Sequence, residues 1–472
     1  MSAERKVIPI EPELVPLFEA QKTVYPRTVT GFFQNWRWAM VWFTQLLFYG
    51  LPWLSWGERQ ALLFDLEARR FYIFDLVLYP QDFIYLAGLL VISALALVLF
   101  TAVAGRLWCG FSCPQTVYTE IFLWIERRIE GDRGARMKLD AAPLSLEKFV
   151  KKWFKHICWG VFALWTGFTF VGYFTPVREL AMSFITTAMG PWETFWVLFY
   201  GLATYGNAGF LREQVCKYMC PYARFQSAMF DRDTLIVGYD ETRGEPRGGR
   251  PRNVDPATRG LGSCIDCTLC VQVCPTGIDI RKGLQYECIG CGACADVCDG
   301  VMDKMGYARG LIKFTTQQGQ AQGWSRAQIW RRVLRPRVLV YATVLLAISL
   351  GLAVSLALRT PFKVDVVRDR GAMARIVAGG AVENVYRLQI MNATESHQRF
   401  AIGASGLPGL AVASEAEVEV DATASRWVAV RLQLPHAAQA AAGAGSHAIR
   451  FELRMLDGSA SVREKSVFLV PR

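Results

Sequence analysis

The stretch CIDCTLCVQVCPTGIDIRKGLQYECIGCGACADVCD, residues 264–299, carries eight of the 13 cysteines of the chain. It contains two runs with the same spacing, C-x2-C-x2-C-x3-C: Cys264, Cys267, Cys270 and Cys274 form the first, and Cys288, Cys291, Cys294 and Cys298 form the second. Three thiols on one tight loop can reach three corners of a small inorganic cube, and the fourth corner must be reached from elsewhere. The duplicated spacing therefore predicts two metal–sulfur centres whose ligands cross between the runs.

This spacing is the signature of bacterial-type ferredoxins, which hold two [4Fe–4S] clusters. The prediction is that one cluster is held by Cys264, Cys267, Cys270 and Cys298, and the second by Cys274, Cys288, Cys291 and Cys294. Structural zinc motifs do not use a triple-cysteine run, and a reducing cytoplasm disfavours disulfides. One position breaks the symmetry of the two runs, because Asp299 follows Cys298 where Pro275 follows Cys274.

The rest of the chain has the composition of a membrane protein. Its 472 residues have a mean hydropathy of +0.21, which is high for a soluble protein. Five apolar stretches approach the roughly 20 residues that cross a bilayer, namely residues 38–56, 83–104, 157–174, 192–210 and 338–358. We expect the first to be an anchor and not a cleaved leader, because the sequence before it, MSAERKVIPIEPELVPLFEA, contains acidic residues and prolines.

Charge sets the expected orientation of these spans, since Lys and Arg concentrate in cytoplasmic loops. Residues 106–155 and 326–337 are rich in Lys and Arg, whereas residues 173–191 contain only Arg178. The N-terminus and the cysteine-rich region are therefore expected in the cytoplasm, and the C-terminal region outside. The same topology signals, together with attraction to anionic lipid heads, explain the net charge of +11 without nucleic acid.

Seven regions follow from these patterns. They are a cytoplasmic N-terminal arm (1–35), a four-helix membrane module (36–235), a linker rich in Gly, Pro and Arg (236–262), a ferredoxin-like domain (263–314), a basic lead (315–337), a fifth transmembrane helix (338–358) and an outer domain (364–472). Within the membrane module, EIFLWIERRIEGDRG has apolar residues at helical spacing. That helix either lies on the membrane surface or packs against the rest of the module.

The outer domain is predicted to be all-β. It consists of short alternating runs such as VYRLQIMN and SRWVAVRLQL, which are separated by clusters of Gly, Pro, Asn and Asp. This pattern is typical of antiparallel strands in a sandwich, and the length fits an immunoglobulin-like domain. Because the region contains no cysteine, its core and not a disulfide must hold it together.

Four further cysteines form two matching pairs. Cys109 and Cys113 lie in WCGFSCP, and Cys216 and Cys220 lie in VCKYMCP, each pair just beyond an apolar span. A spacing of four places both thiols on one face of a helix, about 5–6 Å apart at Cβ, and the following proline favours a break there. The repeat predicts that the two halves of the membrane module bring four thiols together, where soft thiolates select copper(I), zinc or an iron–sulfur cluster.

These thiols also have a purely structural interpretation, because free cysteines are often small buried packing residues. Cys158, which has no partner at either spacing, is assigned to packing. His156, beside it, and Met219, within the second pair, are weaker candidates for metal ligands.

Several strings together closely resemble the CcoG family, also called RdxA or FixG. They are GRLWCGFSCPQT, REQVCKYMCPYARFQS, YDETRGEPRG and PWLSWGERQALLFDLEARRFYIF, together with the cysteine-rich stretch. The resemblance extends over nearly the whole chain and includes the terminal immunoglobulin-like domain. It implies an iron–sulfur protein of the bacterial cytoplasmic membrane that acts as a cupric reductase and supplies copper(I) for assembly of cbb3-type cytochrome c oxidase.

The resemblance also implies roles for the cysteines. The eight in the ferredoxin-like runs are expected to hold the two clusters, and Cys109, Cys113, Cys216 and Cys220 to take part in binding and reducing copper(II), the substrate ion. A copper chaperone or transporter and the oxidase assembly partners are the expected recipients. Because the sequence contains no Gly-rich dinucleotide fingerprint or flavin motif, the electron donor must be a separate protein or a quinol.

Two other functions fit the same residues. One is a quinol-linked membrane ferredoxin that passes electrons to another enzyme. The other is a non-redox assembly factor whose outer β domain docks on the oxidase, with clusters that serve only as structural supports.

Overall fold

The computed structural model describes residues 23–369, 371 and 374–471, so the first 22 residues of the predicted N-terminal arm lie outside the described residues. Five long helices connect the two ends of the molecule: Phe32–Gly50, Phe83–Ala104, Leu146–Val171, Pro191–Thr204 and Pro336–Ala357. Two of them, Pro80–Ala104 with its preceding turn and Pro336–Ala357, are long and apolar enough to cross a membrane. The count of five spans stays a prediction.

Other helices join and flank these five, and all of them except Pro114–Glu130 are also shorter. They are Leu107–Phe111, Pro114–Glu130, Arg133–Ala141, Val177–Ile185, Pro221–Met229, Glu241–Gly244, Leu269–Gln272, Ala293–Met305, Gln317–Ala321, Arg326–Arg331 and His436–Ala442. Phe122, in Pro114–Glu130, is fully buried, and its carbonyl accepts a hydrogen bond from Trp159 Nε1 at 3.1 Å. Of the two alternatives for this segment, the structure therefore shows packing against the module.

The cysteine-rich domain lies at one end of the long helices, which we call the ferredoxin end. Its two strands, Leu235–Tyr239 and Ile312–Thr316, pair antiparallel with Leu235 opposite Thr316. The linker predicted over residues 236–262 is wrong at its start, because the apolar residues Val237 and Tyr239 are buried in this strand. The remainder of the linker packs on the domain, where the Gly248 N–H donates to the Cys264 carbonyl at 3.2 Å.

The first long helix begins at the ferredoxin end and is capped from there. The backbone N–H groups of Phe33 and Gln34 donate to the Asp296 carboxylate, at 3.1 and 2.8 Å. Gly31, the residue before this helix, has no side chain that could cap it. A carboxylate at a helix N-terminus satisfies otherwise unpaired N–H groups and interacts favourably with the helix dipole. Asp296 therefore fixes the cysteine-rich domain to the first helix.

The C-terminal domain is a sandwich of two antiparallel sheets, as the alternating pattern predicts. One sheet contains Phe362–Arg368, Arg375–Ile376, Val382–Asn392, Ala411–Val412 and Ser425–Leu434, and the other contains Gln398–Ser405, Glu417–Val420, Gly445–Met455 and Ser461–Val470. Because strand side chains alternate between faces, Tyr386, Leu388 and Ile390 all point into the core, where they are fully buried. The core includes Phe400 and Phe451 from the second sheet.

A small sheet connects this β domain to the helices. It is formed by Leu62–Asp65, Arg70–Ile73 and Leu76–Leu78, while Ser55–Trp56 and Arg59–Gln60 form a separate pair of strands. The Tyr79 hydroxyl, just beyond the small sheet, donates to the Asn392 carbonyl at 2.7 Å. The buried Asp82 carboxylate is paired with Arg359 at 2.7 Å and with Lys363. The loop between the first two long helices and the β domain therefore lie at the same end of the molecule.

Candidate iron–sulfur and thiol centres

The first cavity of the ferredoxin end is small and is lined by Cys264, Cys267, Cys270 and Cys298. Three of these thiols come from the loop before and within Leu269–Gln272, and Cys298 comes from the helix Ala293–Met305. Most of the remaining wall is apolar. Cys267 is exposed, whereas Cys264 and Cys270 are buried, so this cavity lies close to the protein surface.

The second cavity is lined by Cys274, Cys288, Cys291 and Cys294. Cys270 lines both cavities, which therefore lie side by side. Thr276, whose hydroxyl oxygen lies 3.3 Å from Cys274 Sγ, also lines this cavity. The structure thus places the fourth cysteine of each run with the first three of the other run.

The two cavities fit clusters and not single ions. Among the described residues, no group of three or more His, Cys, Asp or Glu side chains is close enough to hold one metal ion. Four thiols around one cavity, too far apart to share a single ion, are instead arranged for a multi-iron cluster, in which each thiolate binds a different iron. Burial raises the pKa of Cys270 to about 11 and that of Cys298 to about 12. These thiols are therefore protonated at neutral pH until iron displaces the proton.

Asp299, the residue that breaks the symmetry of the two runs, has a local structural role. Its Oδ1 accepts a hydrogen bond from the Gly310 N–H at 2.8 Å. The carboxylate thereby ties the end of the second run to the loop before the strand Ile312–Thr316.

The two outlying cysteine pairs do not lie on single helices as their spacing predicts. Cys109 belongs to the short helix Leu107–Phe111, whereas Cys113 is the non-helical residue before Pro114–Glu130. In the second pair, Cys216 lies in the π-helical turn Val215–Met219, and Cys220 precedes Pro221–Met229. The reason is that each proline begins a new helix, where its missing N–H costs nothing, so the chain turns within each pair.

The four thiols of these pairs nevertheless lie near one another, and we call them the paired-thiol site: Cys109, Cys113, Cys216 and Cys220. Burial, with smaller contributions from the three other thiols, raises the pKa of Cys216 to about 12. Burial likewise raises the pKa of Cys109 to about 11, with smaller contributions from Cys113 and Cys220. Partly buried thiols this close together need a cation among them before they can ionise together.

The paired-thiol site adjoins the second cavity. Cys109 and Cys216 pack against a buried group of residues that includes Ile289 and Cys291. The contact is so close that a Cβ placed on Gly110 would lie 2.8 Å from the Cα of Cys291. Only a glycine allows the two backbones to approach in this way.

Two residues at this junction could not be recognised from the sequence as part of the site. The fully buried Gln226 donates from Nε2 to Cys109 Sγ at 3.4 Å. Arg106, also buried, contributes an electrostatic interaction to Cys109. Its place between the second apolar stretch and the first cysteine pair resembles an ordinary basic topology signal, so its burial was not predictable.

The weaker ligand candidates lie apart from the thiols. His156 Nδ1 is 2.8 Å from the Tyr205 hydroxyl, and its ring stacks on Phe210. Met219 is 59% exposed.

Three family models match the chain. The model described as a 4Fe-4S dicluster domain matches residues 211–317, and a 4Fe-4S binding domain matches residues 86–131. The third, described as an IG-like fold at the C-terminal of FixG, matches residues 352–471.

Similar proteins cover most of the chain. The nitrogen fixation protein FixG of Rhizobium meliloti is 37% identical, over 83% of this chain and 81% of its own length. Protein RdxA of Cereibacter sphaeroides is 37% identical over 91% of this chain and 93% of its own length, and RdxB of the same organism is 39% identical over 84% and 85%. The chain belongs to the FixG/RdxA family.

Membership of the FixG/RdxA family confirms the resemblance seen in the sequence and makes the chain an iron–sulfur electron-transfer protein. The family models support two [4Fe–4S] clusters as its cofactors. The dicluster model covers the residues that line both cavities. The 86–131 model covers a segment with only two cysteines, Cys109 and Cys113. Any cluster at that segment would therefore need thiols from elsewhere in the FixG-type chain.

Proposed function

We propose that this chain is a membrane-bound cupric reductase that converts copper(II) to copper(I) at the paired-thiol site. The reaction adds one electron to each copper ion and makes or breaks no covalent bond to carbon. Thiolate ligands favour copper(I) over copper(II), so the same sulfur atoms that bind the ion also favour its reduction.

The observation that carries the proposal is the contact between the paired-thiol site and the second cavity. Cys109 and Cys216 pack on the residues around Cys291, and Gly110 brings the two backbones together. An ion held by these thiols would lie next to a cofactor held by Cys274, Cys288, Cys291 and Cys294.

We propose that electrons pass from the first cavity of the ferredoxin end to the second. When bound, the two [4Fe–4S] clusters supply one-electron redox chemistry. Cys267 is the exposed thiol of the first cavity, which places that cavity where a soluble or membrane-bound donor can reach it. Cys270 adjoins both cavities. Electrons that enter at the first cavity can therefore leave at the second, beside the paired thiols.

The paired-thiol site is not a preformed cage for one ion. The described residues contain no group of three or more ligands within reach of a single metal. A loose arrangement suits a substrate ion that must be released, since two thiolates are enough to hold copper(I). We propose that a copper chaperone or transporter removes it for assembly of cbb3-type cytochrome c oxidase.

We propose a location in the bacterial inner membrane, with the ferredoxin end in the cytoplasm and the β domain in the periplasm. The two helices long and apolar enough to cross a bilayer support a membrane location. The Lys and Arg content of residues 106–155 supports this orientation.

The test uses the purified full chain with reduced clusters, mixed anaerobically with copper(II) and a chelator specific for copper(I). One copper(I) per electron stored, with matching reoxidation of the clusters, is the expected result. Cluster oxidation only by a different acceptor would support the relay function instead. If no acceptor oxidises the clusters, the result would support the non-redox assembly scaffold instead.

A second candidate for the four thiols is a third [4Fe–4S] cluster, which the 86–131 family model favours. Iron analysis separates the two possibilities, because two clusters contain about eight iron atoms per chain and three contain about twelve. We expect about eight, unchanged when the four thiols are replaced by serine.

A further inference from the structure

Arg106 lies at the junction of the paired-thiol site and the second cavity. It follows the helix Phe83–Ala104 and is only 5% exposed. Its backbone adjoins Gly290, where an added Cβ would lie 3.2 Å from the Arg106 carbonyl carbon. Its own carbonyl accepts a hydrogen bond from the Gly110 N–H at 3.1 Å. Arg106 therefore contacts the loops that carry Cys109 and Cys288.

Among the residues that the structure describes, Arg106 has no carboxylate partner for its charge. Three arginines are buried among the described residues, and two of them form ion pairs: Arg37 with Glu120 at 2.9 Å, and Arg136 with Glu126 at 3.0 Å. Within the described part of the chain, no carboxylate lies within ion-pair distance of Arg106, whose guanidinium donates to the Ala223 carbonyl. A buried charge without a counter-charge is costly, by several kcal/mol in typical proteins.

The groups that can supply the missing negative charge are thiols on both sides of the junction. Arg106 lines one cavity together with Cys288 and Gly290. Its carbonyl accepts a hydrogen bond from the Gly110 N–H, one residue after Cys109. Cys288 also lines the second cavity, whereas Cys109 belongs to the paired-thiol site. One buried arginine thus adjoins both thiol sets.

We propose that Arg106 is the shared counter-charge of the second cluster and the paired-thiol site: its positive charge balances negative charge on both. It thereby stabilises the transferred electron at the junction of these two centres. Adding an electron to a cluster bound by four thiolates increases its negative charge, and a neighbouring buried cation stabilises that form. The same cation stabilises copper(I) bound by thiolates. During the transfer one electron leaves the cluster and copper(II) becomes copper(I), while Arg106 exchanges no proton. Arg106 is a positioning residue, and its effect on copper rests on the proposed function.

The experiment compares the full chain with its Arg106→Gln and Arg106→Lys variants, and with Arg337→Gln as a control. Arg337 is a more exposed arginine that forms an ion pair with Asp231 at 3.4 Å. The measurement is a reductive titration followed by EPR, together with iron analysis. For Arg106→Gln we expect the equilibrium constant for reduction of the second cluster to fall about tenfold, which lowers its reduction potential by about 59 mV. The reduction potential of the first cluster should not change in Arg106→Gln. In Arg106→Lys and Arg337→Gln, the potentials of both clusters should stay near those of the unmodified chain.

Every outcome decides the proposal. An Arg106→Gln protein with full iron content and unchanged potentials would overturn it. Loss of iron in Arg106→Gln with retention in Arg106→Lys supports it, because only the charge differs in kind. Loss of iron in both variants, or a Lys variant that behaves like the Gln variant, shows that shape and not charge matters and overturns it.

A separate arm measures copper(I) binding to each variant. Weaker binding in Arg106→Gln than in Arg106→Lys, by about tenfold, supports the shared role. Equal binding in the two variants restricts Arg106 to the cluster and overturns the shared role. Because the potentials are measured without copper, failure of copper reduction by the unmodified chain would reject the proposed function and leave the effect of Arg106 on the cluster measurable.

Discussion

Gly110 lies against Cys291 so closely that a β-carbon at position 110 would be 2.8 Å from the Cys291 Cα and 2.9 Å from its N. Both contacts are to backbone atoms, which cannot move aside as a flexible side chain can. This is where the first cysteine pair, from the membrane module, meets the second run of the ferredoxin end.

Replacing Gly110 with alanine should therefore separate the paired-thiol site from the second cavity. We expect a loss of stability of about 1–3 kcal/mol from overpacking and slower copper reduction at unchanged iron content. Thermal unfolding in detergent and the chelator assay measure the two effects. Gly134→Ala is the matched control, because a Cβ at Gly134 meets nothing within 4 Å. Equal behaviour of the two variants would contradict the close approach.

Replacing Cys109, Cys113, Cys216 and Cys220 with serine should abolish copper reduction without loss of the two clusters. Serine keeps the size of cysteine and removes the soft sulfur ligand that copper(I) prefers. The measurements are copper(I) formation, iron content and the EPR signal of the reduced clusters. Cys158→Ser serves as the control, since Cys158 lies outside the paired-thiol site. Unchanged copper reduction in the fourfold variant would remove the role proposed for these thiols.

The crossed grouping of the eight ferredoxin-type cysteines predicts which pairs of substitutions have additive effects on iron content. Cys264→Ser and Cys298→Ser affect the same cavity, so the double variant should lose no more than about four iron atoms per chain. Combining Cys298→Ser with Cys288→Ser should remove both clusters, because these residues line different cavities. Iron analysis after anaerobic reconstitution measures both. The reverse pattern, with the larger loss in the first double variant, would show that each run holds its own cluster.

Asp82→Asn should loosen the β domain from the helices. The Asp82 carboxylate is fully buried and pairs with Arg359 and Lys363, and removing one partner from a buried ion pair typically costs about 3–5 kcal/mol. We expect a lower unfolding temperature of the full chain and faster proteolysis near residues 359–363. Asp365→Asn is a suitable control, because the Asp365 carboxylate accepts an exposed hydrogen bond from Gln81. An Asp82→Asn variant with unchanged protease resistance would show that Tyr79 and its apolar neighbours are enough to hold the domain.

The parts of the fold that depend on local patterns were predictable. The β sandwich follows from alternation within strands such as Val382–Asn392, where side-chain direction changes at every residue. The grouping of cysteines around two cavities follows from their spacing, although their binding of iron stays a prediction. In both cases the determining residues lie close together in the sequence.

Contacts between distant segments were not predictable. The strand Leu235–Tyr239 looked like the beginning of a linker, because its partner, Ile312–Thr316, lies more than 70 residues later. The turn within each cysteine pair depends on Pro114 and Pro221 beginning new helices and not only ending old ones. The burial of Arg106 depends on Gly290 and Ala223, which no local pattern connects with it.

The cap that Asp296 places on the first long helix has a consequence for biosynthesis. Phe33 and its acceptor are 263 positions apart in the chain, so the ribosome must complete most of the protein before this contact can form. Three of the other four long helices are therefore synthesised while the leading N–H groups of the first helix still lack their final acceptor. Asp296 lies between Cys294 and Cys298, so the folding that creates a place for iron also completes the start of the first helix. The N-terminus of the first helix therefore reaches its final hydrogen bonding only after the cysteine-rich domain has been synthesised and folded.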